Sequence, residues 1–394
     1  PIVFNGNLLL FVDGIAAGYF MNIAAPPVRM PEETTTEISI RGPRDGFIED
    51  LSTNVALVRK RLKTKSLAYE QFVLGKRSRT KVGLLYIKDI IRPSILSEVK
   101  RRLSRIDTDA VYSGNQLEEM LAENKYTLFP LFDYTGRPDY VVAALLRGRF
   151  AILVDGVPTA IIAPANLTLL FKTAEDIHNS YANISYGRLL RLLGLGISML
   201  LPGFYIAIVT YHPDQIPLTL LATFIISRKG VPLPAPLEAL LMIILFELFR
   251  EAGMRLPSTI GQTLAVVGGL IVGDAGIRSG LTSPSLLVVI SATVVSTFTL
   301  VNQSLSGAVT LIRIGILLAS SFLGVFGFIV SVFAVLIGLA SLRSFGVPYL
   351  APISPVTWKD LSAALIRLPS VYQKKRPVMM RTVDSTRGEG DGMP

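Results

Sequence analysis

The spacing of apolar residues changes near residue 188. Before that point, short apolar runs are separated by turns and charged residues. Residues 7–23 and 149–164 each predict two strands around an Asp-Gly turn. Further strands are expected at 67–74 and 82–87, and amphipathic helices at 45–63, 94–106 and 116–123. The pattern predicts an α/β (α+β) domain over residues 1–188, and Pro1 in place of an initiator Met suggests that an upstream portion is missing.

Beyond residue 188, charges become scarce and apolar runs approach the length of a membrane span. Residues 189–211 and 284–301 predict single crossings, and 309–342 predicts a helical hairpin with a Gly-rich middle. Residues 216–227 predict a short or re-entrant segment or part of a tilted hairpin, and 237–249 a buried or interfacial helix. The sequence thus predicts an all-α polytopic membrane domain over 189–342 with roughly four to six crossings. A cytoplasmic basic C-terminal tail is expected over 343–394.

An uncharged stretch within residues 256–281 has small residues at every fourth position. They are Gly261, Ala265, Gly269 and Gly273. In a bilayer such a face allows a neighbouring helix to approach closely, so these residues are predicted to pack helices together.

The same stretch ends in a lone Asp274, with Arg278 one turn later. Helical spacing places Thr263, Val267, Leu270 and Asp274 on one side. In a symmetric oligomer this side is a candidate pore lining, with an acidic ring and a hydrophobic constriction. The alternative is that it faces lipid or another helix.

Glu247, Arg250 and Glu251 are spaced to pair on one helix face. Ionisable groups near apolar segments are costly and often functional, so these residues are candidates, with Arg278, for ion pairing or coupling. The alternative is an interfacial ion pair that only tethers the helix.

In the first domain, Arg41, Gly42, Pro43 and Arg44 form a compact motif. Guanidinium groups and backbone N–H groups could together bind an anion. The alternative, which is favoured, is a fixed turn that leads into the next helix.

Composition narrows the class of protein. The 394 residues include no cysteine and two histidines, which excludes disulfides and Cys/His zinc sites. No catalytic residue, cofactor site or metal site is predicted, so an enzyme is not expected. The net charge of +10 suits membrane lipid better than nucleic acid. Arg188 and Arg191 at the start of the first apolar run place the preceding domain in the cytoplasm.

Several longer motifs carry a family resemblance. They include IRGPRDGFIEDLSTNVALVRKRLK at 40–63, GKRSRTKVGLLYIKDI at 75–90, FREAGMRLPSTIGQTLAVVGGLIVG at 249–273 and SFGVPYLAPISP at 344–355. The chain resembles the A subunits of bacterial spore germinant receptors, the GerA family, over nearly its whole length. It departs from the family pattern at Glu33-Thr34 and at Gly136.

The resemblance implies a multi-pass protein of the spore inner membrane that acts with a transporter-like B subunit and a lipoprotein C subunit. It also implies homo-oligomers, with pentamers expected, that form a nutrient-gated cation channel and trigger germination. The alternatives are a non-conducting scaffold of the receptor cluster and a paralogous spore channel linked to dipicolinate release. A secondary transporter is disfavoured because the membrane half has no convincing inverted repeat.

Overall fold

The computed structural model describes residues 7–11, 13–14, 18–22, 29–34, 37, 39–255, 273–367, 369, 373 and 375–386. It confirms a mixed α/β region followed by a helical part.

A five-stranded antiparallel sheet forms the centre of the first region. Its strands lie in the order β3-β4-β6-β7-β5. Their bounds are β3 Leu67–Leu74, β4 Thr80–Ile87, β5 Asp133–Thr135, β6 Phe150–Val154 and β7 Ala160–Ala163. A separate two-stranded ribbon contains β1 Asn7–Phe11 and β2 Gly18–Asn22. The two similar Asp-Gly hairpins of the sequence therefore belong to different sheets.

Helices cover both faces of this sheet. Their bounds are α1 Leu51–Arg61, α2 Pro93–Ser104, α3 Gly114–Leu121 and α4 Pro138–Leu145. Because successive strand residues point to opposite faces, Leu84 packs with α2 and α3 whereas Leu85 packs with α1 and α4. Helix α1 begins later than predicted, because Asp50 caps it by accepting a hydrogen bond from the Thr53 N–H.

The helical part follows a short helix, α5 Leu167–Leu170. Its helices are α6 Tyr181–Tyr211, α7 Leu218–Ser227, α8 Ala235–Arg255, α9 Pro284–Thr297 and α10 Gln303–Ser341. Residues 273–278 are also helical. Among the described residues, α6 and α10 are the two helices long and apolar enough to cross a membrane. The prediction of four to six crossings is not confirmed.

Helix α10 is folded back on itself at Gly324, where φ is 62° and ψ is −141°. The carbonyl oxygen of Ala319 occupies the place where a side chain on Gly327 would begin, which a continuous helix does not permit over eight residues. Leu305 and Leu339, from the two limbs, share one core cluster. Helix α10 therefore has the predicted hairpin shape.

The shorter helices differ from the sequence expectations in length. Helix α9 has 14 residues and ends before residue 301, whereas α8 has 21 and extends beyond both predicted ends. The end of α7 stays near the start of α9, because the Ser227 and Ser285 hydroxyls are 2.8 Å apart. This contact matches a short or re-entrant α7 rather than one that returns to the α/β region.

The chain after α10 returns to the sheet through β8 Arg343–Ser344, β9 Val347–Pro348 and α11 Trp358–Leu365. The Phe345 ring packs edge-on against Phe150 with centroids 5.0 Å apart, and Tyr349 lies 6.0 Å from Phe129. The described part of residues 343–386 thus contributes to the core of the first region. The predicted domain boundaries at 188 and 342 stay predictions.

Candidate functional site

A buried arginine lies halfway along the first limb of the α10 hairpin. Arg313 is about 15 Å from either end of that limb at ~1.5 Å per residue. Its side chain is 1% exposed, and its guanidinium forms an ion pair with Glu247 of α8. It also donates hydrogen bonds to Thr297 at 3.2 Å and Thr310 at 3.4 Å. The apolar helices therefore enclose a paired guanidinium about halfway along the first limb of α10.

Arg250 completes this charge cluster from one turn further along α8. Its guanidinium lies 2.6 Å from the second carboxylate oxygen of Glu247 and donates to the Ser306 hydroxyl at 3.3 Å. Glu251 instead pairs with Arg255, at 2.6 Å, on an exposed part of the helix. The structure thus brings Glu247 and Arg250 together with Arg313 and leaves Glu251 outside. We call Glu247, Arg250 and Arg313 the mid-helix cluster; with one carboxylate and two guanidiniums, it has a net positive charge.

A fully buried carboxylate joins the starts of α8 and α9. One oxygen of Glu238 accepts hydrogen bonds from the Ser283 N–H at 2.5 Å, the Ser283 hydroxyl at 2.7 Å and the Thr282 hydroxyl at 3.1 Å. Its other oxygen lies 3.7 Å from the Arg228 guanidinium. Glu238 is fully buried, so these contacts fix the end of the helical part that lies away from the sheet.

Asp274 and Arg278 form an exposed ion pair with 2.9 Å between their charged atoms. Gly273 packs closely on α9: a Cβ there would lie 3.2 Å from Leu287. The other candidate pore and packing residues lie outside the described residues; they are Gly261, Thr263, Ala265, Val267, Gly269 and Leu270. The pore-lining and packing roles therefore stay predictions.

The Arg41–Arg44 motif packs against a buried arginine. Arg137 forms ion pairs with Asp139 at 2.8 Å and Glu175 at 2.6 Å, and its guanidinium fills the space beside Gly42. The Arg41 N–H donates to Glu175 at 3.3 Å. The motif backbone thus binds a carboxylate of its own chain, while the Arg41 and Arg44 side chains are exposed. This geometry favours the fixed turn over an anion clamp.

Burial works to raise the pKa of Glu175, but hydrogen bonds from Arg137 and the Arg41 N–H lower that pKa to about 2. The carboxylate is therefore ionised at any physiological pH, and the turn remains fixed.

Another ion-pair network joins the α/β region to the start of α6. The Asp176 carboxylate forms ion pairs with the guanidiniums of Arg188, at 3.2 Å, and Arg191, at 3.1 Å. Both arginines belong to α6. Arg188 also donates to the carbonyls of Ala363 and Ala364 in α11. A polar cleft of about 390 Å³ lies beside this junction, with Arg137, Asp176, Arg191 and Val301 among its lining residues.

The start of the α10 hairpin is joined to the sheet by a buried carboxylate. Asp133 of β5 accepts hydrogen bonds from Asn302 at 3.0 Å and from the Tyr140 hydroxyl at 2.9 Å. Burial raises the pKa of Asp133 to about 6. Burial also raises the pKa of two acidic neighbours, Glu37 to about 7 and Glu118 to about 8. We call these three residues the junction acids.

Sequence reasoning missed most of these buried polar residues. Arg313 has no charged neighbour within its own apolar run, and its ion-pair partner lies 66 residues earlier. The isolated arginine was itself a usable signal, because an uncompensated charge inside a bilayer is costly. Within the described ranges, no group of three or more His, Asp or Glu side chains is arranged to hold a metal ion.

Comparison with known proteins assigns this arrangement to a family. The family model for the Bacillus/Clostridium GerA spore germination protein matches residues 2–379. The chain belongs to the GerA family. Spore germination protein XA of Bacillus anthracis is 53% identical over 98% of this chain and 78% of its own.

Two further relatives extend the comparison. The uncharacterized membrane protein YfkQ of Bacillus subtilis is 37% identical over 95% of this chain and 73% of its own. A crystal structure of the N-terminal domain of the A subunit of the Bacillus megaterium spore germinant receptor GerK3 is 39% identical. It covers 30% of this chain and 95% of that chain, with a TM-score of 0.26. The family match and the two long apolar helices together make this GerA family member a membrane-associated protein of the spore germination receptor type.

Proposed function

We propose that this GerA family member is the A subunit of a spore germinant receptor and oligomerises into a nutrient-gated cation channel. The observation that carries the proposal is the mid-helix cluster. Arg313 is buried among apolar helices, and Glu247 and Arg250 are partly buried beside it. A buried charge costs several kcal/mol unless it is paired, and charges inside apolar helix bundles commonly mark ion pathways or gating elements.

The flanks of the predicted pore helix support the same function. Arg250 contacts Ser306, close to the hairpin end that meets the sheet, so α8 ends on that side. Gly273 packs on Leu287 near the start of α9, and that start is joined to Tyr205, far along α6. The two flanks of residues 256–272 therefore lie at opposite ends of the helical part. We place the ion pathway along Thr263, Val267, Leu270 and Asp274, with Arg278 neutralising Asp274 in the closed state.

Gating requires that the α/β region act on the helices. The Asp176 pairs hold the start of α6, and Asp133 holds the start of α10. These ion pairs and hydrogen bonds would have one arrangement in the closed channel and another in the open channel. A partner that binds the α/β region more tightly in one arrangement would shift the population towards that state. In this proposal a transporter-like B subunit binds the nutrient, and a C-subunit lipoprotein completes the receptor.

The proposed location is the spore inner membrane, with the α/β region facing the spore core. Arg188 and Arg191 lie where α6 leaves that region, in keeping with positive charge on the cytoplasmic side.

Potassium efflux from liposomes tests the proposal. The purified chain is reconstituted as wild type, as Leu270→Ala and as Leu318→Ala, a control on the exposed surface of α10. Channel-sized efflux that rises in Leu270→Ala but not in Leu318→Ala is expected, because a smaller side chain would weaken a hydrophobic constriction. Equal efflux from all three proteins would show that the gate is not at Leu270. No efflux, even with B and C subunits and a nutrient mixture, would favour the scaffold.

A further inference from the structure

A basic pocket of about 370 Å³ lies where the second limb of α10 re-enters the α/β region. Three arginines line it from three separate segments: Arg92 precedes α2, Arg343 follows α10, and Arg381 belongs to the C-terminal segment. Backbone hydrogen bonds hold these segments together. The Val383 N–H donates to the Ile90 carbonyl at 3.1 Å, and the Tyr349 N–H donates to Leu342 at 3.0 Å.

None of the three arginine side chains has an ion pair or side-chain hydrogen bond with another described residue. The described lining contains no Asp or Glu. The nearby carboxylate of Asp360 accepts the Met379 N–H, and that of Glu123 accepts the Gly346 N–H and pairs with Arg102. The positive charge of the pocket is therefore uncompensated. The cleft beside α6 differs, because its arginines are paired with Asp139, Glu175 and Asp176.

Two further features fit an anionic ligand. The Thr357 hydroxyl in the pocket wall is buried and has no hydrogen-bond partner among the described residues. Arg381 has a φ of 46°, a left-handed conformation that costs a non-glycine residue roughly 1 kcal/mol. Binding of a ligand by the Arg381 guanidinium would explain why arginine occupies a position whose backbone conformation favours glycine.

We propose that this basic pocket binds a phosphate-bearing anion, with Arg92, Arg343 and Arg381 as its cationic ligands and Thr357 as a hydroxyl donor. Arginine forks match the geometry of phosphate oxygens and form strong charge-assisted hydrogen bonds with them. Arg343 follows the apolar limb of α10 by two residues, so the pocket lies at the level where lipid headgroups meet the protein. The headgroup of an anionic phospholipid has this chemistry and this position, and a small soluble phosphate ester shares the chemistry.

Isothermal titration of the purified full chain in a neutral detergent tests the site. The probes are dioctanoyl phosphatidylglycerol and inorganic phosphate. The variants are Arg343→Gln and Arg381→Gly, and the matched control is Arg105→Gln, an exposed arginine at the opposite end of α2. Glycine suits the backbone at residue 381, so that variant is expected to fold at least as well as wild type.

Loss of one charged hydrogen-bond donor is expected to weaken binding of the phosphate group by about tenfold or more, whereas Arg105→Gln leaves it unchanged. Phosphatidylglycerol binding that millimolar phosphate does not displace identifies the lipid headgroup as the source. Displacement by phosphate identifies a small soluble phosphate. The proposal is overturned if wild type binds neither probe, or if both pocket variants bind as tightly as Arg105→Gln. An equal loss in all three variants would also overturn it, because that indicates general surface charge.

Discussion

Asn302 joins the two parts of the chain with a single side chain. Its amide group donates a 3.0 Å hydrogen bond to Asp133 of the sheet, while its carbonyl oxygen accepts the Leu305 N–H and caps the first limb of α10. Any change in the protonation of Asp133 therefore acts directly on the start of the hairpin.

The junction acids predict that the stability of the protein falls as pH rises. Carboxylates with lowered pKa values have the opposite effect. The pKa of Asp133 is raised to about 6 in the folded protein, from an ordinary value of 3.8. The native state therefore holds this proton more tightly than the unfolded state does. The stabilisation is complete below about pH 4 and is lost as pH rises through 6, by an amount on the order of 3 kcal/mol.

Thermal unfolding in detergent between pH 4 and 8 measures this effect. The midpoint temperature of wild type is expected to fall over this range more steeply than that of Asp133→Asn, which cannot ionise. Asp107→Asn, which removes an exposed carboxylate paired with Lys76, is the control and keeps the wild-type slope. Identical slopes in wild type and Asp133→Asn would refute the role of Asp133.

The mid-helix cluster predicts a large asymmetry between single and double variants. Glu247→Leu leaves the Arg313 guanidinium buried without its carboxylate, which is expected to cost about 3–5 kcal/mol. The double variant Glu247→Leu/Arg313→Leu is expected to recover most of that loss, because no guanidinium then remains buried at position 313. Unfolding midpoints of the two variants in the same detergent measure the difference.

Glu251→Gln is the matched control for this pair, because its ion pair with Arg255 is exposed. A change of at most ~1 kcal/mol is expected from it. If Glu247→Leu proves as mild as Glu251→Gln, the cluster does not hold α8 against α10.

Substitution of two glycines of α10 by alanine is expected to have different effects on the stability of the protein, because one of them lies at the tip of the hairpin. Gly324 has a positive φ, and a Cβ there would lie 2.9 Å from Tyr211 at the end of α6. Gly324→Ala is expected to destabilise the protein by roughly 1–3 kcal/mol because the backbone is strained and the Tyr211 ring must move. Gly338→Ala meets no atom within 4 Å in the helical second limb and is expected to be neutral or stabilising. Equal melting temperatures for the two variants would count against the fold at Gly324.

In the Arg41–Arg44 turn, the glycine is expected to contribute more to stability than the charged side chains. A Cβ on Gly42 would overlap the Arg137 guanidinium, which two carboxylates hold in place. Gly42→Ala is expected to cost about 1–3 kcal/mol, as overpacking does, whereas Arg41→Gln removes an exposed side chain and costs little. Chemical denaturation of the two variants measures both costs. If Arg41→Gln proves as destabilising as Gly42→Ala, the charges of the motif contribute to the turn and its glycine is not the deciding residue.

The local pattern of the chain predicted much of the α/β region. The apolar runs at 67–74 and 82–87, separated by a basic turn, gave strands β3 and β4 nearly to the residue. Residues 82–87 form a continuous apolar run because helices cover both faces of the sheet at β4. The Gly-rich middle of 309–342 likewise predicted the hairpin of α10. The start of α1 was misplaced because Phe47 and Ile48 are buried in an extended segment, which helical spacing alone does not distinguish.

The polar contacts between elements were not predictable from local pattern. Glu247 and Arg313, Asp133 and Asn302, and Asp176 and Arg188 are brought together by tertiary packing rather than by spacing. Glu247 and Arg250 were singled out because they lie within one helical turn. Their buried partner Arg313 was missed because nothing in its neighbourhood along the chain indicates which helix it faces.

The packing of Phe345 and Tyr349 against the sheet has a consequence for biosynthesis. When the ribosome has completed residue 188, all five strands of the main sheet exist, but the aromatic rings that cover Phe150 and Phe129 have not been made. They emerge only after every long apolar helix has been translated. The nascent α/β region therefore keeps an uncovered apolar patch until the α10 hairpin has been made and has brought Phe345 and Tyr349 back to the sheet.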